Sequence, residues 1–163
     1  MRGIVFTGET AEVRDDVEVR GPGPNEVLVR IVAAGVCHSD VSLLDGTIPW
    51  PAPSLMGHEG AGIVEAIGSE VTTVKPGDHV VVATVANCGM CRFCNVGKPG
   101  HCRKSMLNRH EPFTVGGEPA GNFAATSSFA EVTLIKEIQA VKIPDDVPPV
   151  SYTHLTLPTI YSV

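Results

Sequence analysis

Aromatic side chains are scarce in this sequence: one Trp, two Tyr and five Phe stand against 17 Gly and 13 Pro. A chain so punctuated turns often, which leaves room for short strands and little room for long helices. Basic excess is missing as well. The formal net charge is −6, and a nucleic-acid partner would require a basic face. No stretch approaches the roughly 20 consecutive apolar residues of a membrane span. The opening residues, MRGIVFTGET, lack the long apolar run of a signal peptide. A cytoplasmic setting follows by default, and there cysteines serve more often as metal ligands or reactive thiols than as disulfides. Two phosphate-binding signatures are also lacking. Neither a G-x-G-x-x-G step between strand and helix nor a Walker-type Gly-Lys loop occurs, so a dinucleotide site is not built by these residues alone.

What is present fits one globular domain. The hydrophobic fraction is 43% and the charged fraction 18% over 163 residues, a length with enough chain for a real core. Strand-type runs are expected at Arg2–Phe6, Glu26–Val32, Gly62–Ala66, His79–Thr84, Phe129–Ile135 and Ala140–Ile143. Helix is expected only at Ser39–Leu44 and Arg92–Val96, a turn or two each. No amphipathic helix of 10–15 residues alternates with the strands, which excludes a doubly wound α/β sheet and points to an all-β barrel or sandwich.

Cysteines are concentrated in one place. Cys88, Cys91, Cys94 and Cys102 fall as C-x2-C-x2-C-x7-C. Four thiolates in tetrahedral array close the coordination sphere of zinc and leave no position for a substrate, so the site would be structural. Gly89, Gly97 and Gly100 offer tight turns, while Arg92, Lys98, Arg103 and Lys104 offset the negative charge of such a centre. Free buried thiols or a redox pair are the alternatives, and compartment and spacing favour zinc. His101, beside Cys102, reads as a surface residue.

Two further segments carry chemistry: Gly35-Val36-Cys37-His38-Ser39-Asp40 and GHEGAGIVEAIG from Gly57 to Gly68. A Cys and a His from separate segments can give two ligands to a second metal with a position left open. The order GVCHSD, GHEGAGIVEAIG, GDHVV and then the cysteine cluster resembles the N-terminal catalytic domain of zinc-dependent medium-chain alcohol dehydrogenases, over about residues 1–148. The resemblance implies a mainly β fold, a GroES-like barrel over residues 1–150 with few short helices and a small zinc lobe at about 87–105. It also implies two zinc ions, one structural and one catalytic, and NAD or NADP bound by a Rossmann domain that lies elsewhere in the complete enzyme.

On the same resemblance, Cys37 and His58 match two catalytic zinc ligands, and Glu59 matches the acidic neighbour behind that metal. Asp40 matches the carboxylate that orients the liganding histidine. Ser39 matches the hydroxyl that touches the substrate oxygen and passes its proton outward, and His38 matches a position facing the cofactor pyrophosphate. The implied reaction is oxidation of a small alcohol to an aldehyde or ketone, with zinc as Lewis acid and hydride transfer to nicotinamide. Partners would be that substrate and, in the full-length form, further copies of the protein, with no nucleic acid and no membrane.

The sequence departs from the family at several points. Ser42 stands where many relatives continue the proton relay with a histidine. Thr84 stands where a large aromatic often lines the substrate pocket, and Trp50 belongs either at the pocket rim or in exposed packing. After KIPDDVPP the family continues into a helix bearing a third zinc ligand, normally the cysteine of a Gly-Cys step. Here the sequence reads VSYTHLTLPTIYSV. Residues 151–163 contain no Asp, Glu, Lys or Arg, lack helical periodicity, and read as a non-native tail in which His154 is no match for that ligand. The expectation is an alcohol dehydrogenase fragment with one whole zinc site, one incomplete zinc site, no cofactor domain and little activity of its own. The competing expectation is a non-catalytic zinc-binding β-barrel that acts as an interaction module.

Overall fold

A computed structural model of the chain describes residues 1–105 and 111–153. The order of elements is β1 (Gly3–Phe6), β2 (Ala11–Arg14), β3 (Val17–Val19), β4 (Glu26–Gly35), α1 (His38–Leu44), β5 (Ser54–Leu55), β6 (Glu59–Ile67) and β7 (His79–Val82). There follow α2 (Arg92–Asn95), β8 (Phe113–Val115), β9 (Glu118–Asn122), β10 (Val132–Lys136), β11 (Ala140–Lys142) and α3 (Val150–Thr153). The fold is mainly β with a few short helices, as expected. Residues 154–163 of the expected tail, His154 included, lie outside the described residues, while residues 151–153 belong to the helical turn α3, where no helix was expected.

The strands form two curled sheets. One is six-stranded, in the order β2-β1-β5-β9-β8-β3, and the other five-stranded, in the order β10-β4-β6-β7-β11. Pairing is antiparallel except between β5 and β9. The five-stranded sheet packs Val27, Val29, Val64, Val80, Val82 and Ile135 into one core. β-Branched residues suit this half-buried pleat. The six-stranded sheet buries Val5, Val17, Leu55 and Phe113 in a second cluster. A third cluster, Phe6, Leu43, Met56 and Phe123, fastens α1 to the barrel. No helix among the described residues is long and apolar enough to cross a membrane.

The β4–β6 ladder sets the geometry that matters below. Its register slips between Leu28 and Val29 and again between Ile31 and Ala33, and its last pair is Gly35 with Glu59. Such bulges bend a strand and sharpen its twist. Gly62 sits between these two slips, where a Cβ would collide with the Arg30 carbonyl. At the other end of β4, the 3%-exposed Glu26 accepts hydrogen bonds from Arg20 Nη1 at 2.6 Å, Lys136 Nζ at 2.7 Å and the Gly23 N–H at 2.8 Å. Burial by itself would raise the Glu26 carboxyl, but the Arg20 and Lys136 partners and the Gly23 N–H outweigh it and hold the group well below the usual carboxylate range.

Candidate metal centres

The cysteine lobe is a short excursion between β7 and β8. The single turn α2 buries none of its residues, and Gly89 and Gly97 take left-handed φ of 71° and 73° to fold the loop back on itself. Sulfurs therefore converge with little core behind them. Cys91 Sγ lies 3.5 Å from Cys94 Sγ and 3.8 Å from Cys102 Sγ, and Cys102 Sγ lies 3.7 Å from Cys88 Sγ. A zinc tetrahedron with Zn–S bonds of about 2.3 Å has edges of about 3.8 Å, so the four sulfurs fit such an ion. The Cys88 N–H, 3.5 Å from Cys102 Sγ, pulls the Cys102 thiol down to about 6. Burial and the adjacent Cys91 and Cys102 sulfurs push Cys94 up to about 11. Cys94 thus resists ionisation beside its neighbours, a cost that a cation among the sulfurs would offset. His101 is exposed, with its ring centroid 6.0 Å from that of Phe93.

The second centre is built by the barrel. Because Gly35 pairs with Glu59, Cys37 just beyond β4 is brought to His58 just before β6. Ligand atoms of Cys37, His58 and Glu59 lie within 4.8 Å of one another. Among the described residues, this trio and the four cysteines are the groups of three or more His, Cys, Asp or Glu side chains close enough to hold a metal ion. A thiol, an imidazole and a carboxyl suit zinc with a coordination position to spare. Gly35 makes room for the carboxyl, since a Cβ there would lie 2.5 Å from Glu59 Oε2.

Asp40 ties the two ligands together. It is 3% exposed at the first turn of α1. Its Oδ2 accepts the Cys37 N–H at 3.0 Å, and its Oδ1 lies 3.2 Å from His58 Nδ1. A carboxyl oxygen on Nδ1 assigns that nitrogen its proton and leaves Nε2 as the ring's other donor atom. The hydrogen bond to Asp40 raises His58 to about 9, against the opposing effect of burial and with help from Cys37. Cys37 is lowered, chiefly by the Ser39 N–H, against burial and with help from His58. Ser39 Oγ stands 3.7 Å from Cys37 Sγ. His38, one α-helical turn before Ser42, places Nδ1 3.2 Å from Ser42 Oγ.

A cleft of about 340 Å³ opens beside this centre, lined by His58, Glu59, Val82, Thr84, Tyr152 and Thr153 among others. Thr84 is on the wall of this cleft. Trp50 is half-buried against Phe123, with ring centroids 5.0 Å apart in an edge-to-face arrangement, and Phe123 in turn meets the His58 ring at 5.6 Å. Phe123, Tyr152 and Thr153 were not among the expected site residues. Phe123 lies 65 positions from His58 in sequence, and no spacing signal links them.

The chain is similar to known proteins. The alcohol dehydrogenase GroES-like domain profile matches residues 23–145. Alcohol dehydrogenase class-3 of Pisum sativum is 40% identical over 144 residues, covering 82% of this chain and 38% of that protein. The crystal structure of an alcohol dehydrogenase zinc-binding domain protein from Burkholderia ambifaria superposes with a TM-score of 0.87 at 36% identity, over 94% of this chain and 44% of that one. Benzyl alcohol dehydrogenase from Acinetobacter calcoaceticus gives a TM-score of 0.84 at 35% identity, with the same coverage. The chain thus spans well under half the length of these relatives.

Proposed function

The chain belongs to the alcohol dehydrogenase GroES-like domain family, and from that premise we propose that it is the substrate-positioning part of a zinc-dependent, nicotinamide-linked alcohol dehydrogenase. The observation that carries this reading is the Asp40 carboxyl shared between Cys37 and His58 beside an open cleft. A purely structural barrel has no need of a second ligand set held from behind by a buried acid.

Cys37 and His58, with Glu59 beside them, would hold a catalytic zinc, and Cys88, Cys91, Cys94 and Cys102 would hold a structural one. When bound, zinc supplies Lewis-acid polarisation of an alcohol or carbonyl oxygen, and the nicotinamide supplies a hydride acceptor or donor. The remaining work belongs to side chains. Ser39 takes the hydroxyl proton of the alcohol and passes it outward. Asp40 keeps His58 in one orientation. His38, steadied at Nδ1 by Ser42, offers Nε2 to a phosphate oxygen of the cofactor. Thr84 in place of a bulky ring keeps the cleft wide enough for larger alcohols.

No cysteine follows Cys102 within these 163 residues. Cobalt(II), which reports its ligands by colour, tests the assignment on the chain itself. One ion should bind tightly with the intense sulfur-to-metal absorption of a four-thiolate site. A second, weaker ion should depend on Cys37 and His58. A hybrid in which this chain replaces the aligned 44% of the Acinetobacter benzyl alcohol dehydrogenase should oxidise alcohols, and Cys37→Ser should abolish that activity. A single cobalt site untouched by Cys37→Ser, together with an inert hybrid, would point instead to a non-catalytic zinc barrel.

A further inference from the structure

The segment from Asn122 to Phe129 is strained, buried and unexplained by any role given so far. It contains Ala124, Ala125 and Ser127 at φ of 52°, 58° and 47°. All three are non-glycine residues in the left-handed region. Such clusters persist only where the surroundings over-determine the backbone, and they concentrate at sites where position matters. Thr126, Ser127 and Ser128 are at most 1% exposed. Their hydroxyls all reach carbonyls of the stretch that carries His58, while those of Thr126 and Ser127 also face Phe123 O and Asn122 Oδ1 within their own segment.

The bonds are specific. Ser127 Oγ lies 2.7 Å from Asn122 Oδ1 and 3.1 Å from the Leu55 carbonyl, and the Phe129 N–H donates to the Met56 carbonyl at 3.0 Å. The Gly57 carbonyl accepts the Ser128 N–H at 3.0 Å and shares the Thr126 hydroxyl with the Phe123 carbonyl, each 3.2 Å from Oγ1. Ser128 Oγ donates to the Glu59 carbonyl at 3.1 Å. Thr126 is itself anchored, because its carbonyl accepts the Thr133 hydroxyl. The two stretches are pressed together: a Cβ on Gly57 would lie 2.5 Å from the Phe129 nitrogen, and one on Gly60 would lie 2.7 Å from Ser128 Cβ. Phe123, from the same segment, sets its ring edge-to-face with His58.

We propose that residues 122–129 form a clamp in which Thr126, Ser127 and Ser128 act as positioning residues, fixing the backbone on either side of His58 so that its ring meets Asp40 and Cys37. The inference rests on the metal site proposed above. None of the three hydroxyls belongs to the ligand trio, so their effect is exerted through His58. Loss of an outer partner of a metal ligand typically costs 10–100-fold in metal affinity, and the clamp holds the ligand's own backbone.

The test is a cobalt(II) titration of the intact chain and of Ser128→Ala, Thr126→Val and Thr126→Ser, with the four-cysteine site as an internal reference. Ser128→Ala and Thr126→Val should weaken the Cys37–His58 site about 10-fold or more while leaving the thiolate absorption of the lobe unchanged. Thr126→Ser, which keeps the hydroxyl, should restore affinity. A second readout is the downfield Nδ1 proton of His58 in the metal-free chain. It should be protected from exchange in the parent and in Thr126→Ser, and lost in the other two. Equal cobalt affinity and equal proton protection across the series would overturn the clamp. If the parent binds no second cobalt, the metal reading fails instead, and the His58 proton alone decides the clamp. Should Thr126→Val not fold, the milder Ser128→Ala carries the test.

Discussion

The two candidate centres reach similar ligand geometry by opposite routes. In the lobe every ligand comes from one short loop, Cys88 to Cys102, with left-handed glycines and a helical turn that buries nothing. In the barrel the ligands come from segments joined by a β-ladder and are held by a buried acid. A metal would have to assemble the first centre, whereas the second is assembled without one. A loop without a core has no reason to keep its shape when the cation leaves. A site carried on packed strands keeps its geometry with or without an ion.

Stripping metal should divide the molecule most sharply. With a strong chelator, amides of residues 88–105 should lose hydrogen-exchange protection by orders of magnitude, whereas those of β4, β6 and β7 should hardly change. If strands and lobe lose protection together, the contrast fails. Asp40→Asn comes next. It should weaken the Cys37–His58 site for cobalt by about 10–100-fold and leave the four-thiolate absorption alone. An equal loss at both sites would mean that the variant merely destabilises the fold.

Acid should separate the regions by a gentler slope. Thiols must lose their protons to bind metal, so falling pH should release an ion from the lobe. Glu26, by contrast, has a folded-state value held below its unfolded value of about 4.3. Its stabilisation of the β4–β10 junction is fully present above that unfolded value. It is lost only as pH falls from there through the depressed one. Circular dichroism of the strands should therefore outlast the lobe's thiolate absorption in an acid titration, and Glu26→Gln should narrow the gap. The smallest effect is expected from Thr84→Phe. Both metal affinities should stay unchanged, and in the hybrid enzyme kcat/KM should shift from bulky toward small alcohols. An unaltered preference would remove Thr84 from the pocket.

Legibility in the sequence followed the range of the contacts. The cysteine lobe could be read directly, because its spacing and its geometry are both local. β4 and β6 could be read because long apolar runs mark strands buried in a sheet, and both extend beyond the expected Glu26–Val32 and Gly62–Ala66. β2, β3, β5, β8 and β9 were not foreseen. They are two to five residues long, β2 is mostly exposed, and β9 contains Pro119, so pairing partners rather than local preference make them strands. Cys37 and His58 were found through the resemblance alone, since a lone Cys and a lone His carry little signal. The Asn122–Phe129 segment was invisible for the plainest reason. Its bond from Thr126 to Gly57 spans 69 residues, and a run of small hydroxyl residues announces no partner.

The divided Asp40 carboxyl also restricts which side chains this barrel can accept at position 58. A cysteine there would still be a good zinc ligand, and by charge alone a stronger one. It would bring no N–H to Oδ1, and an acid only 3% exposed would lose one of its two donors. The same holds for a carboxylate in that place, with repulsion added. The imidazole is therefore demanded from the protein side, where a zinc ion alone would accept either ligand. A ligand exchange meant to tune the site for another ion would have to begin at Asp40.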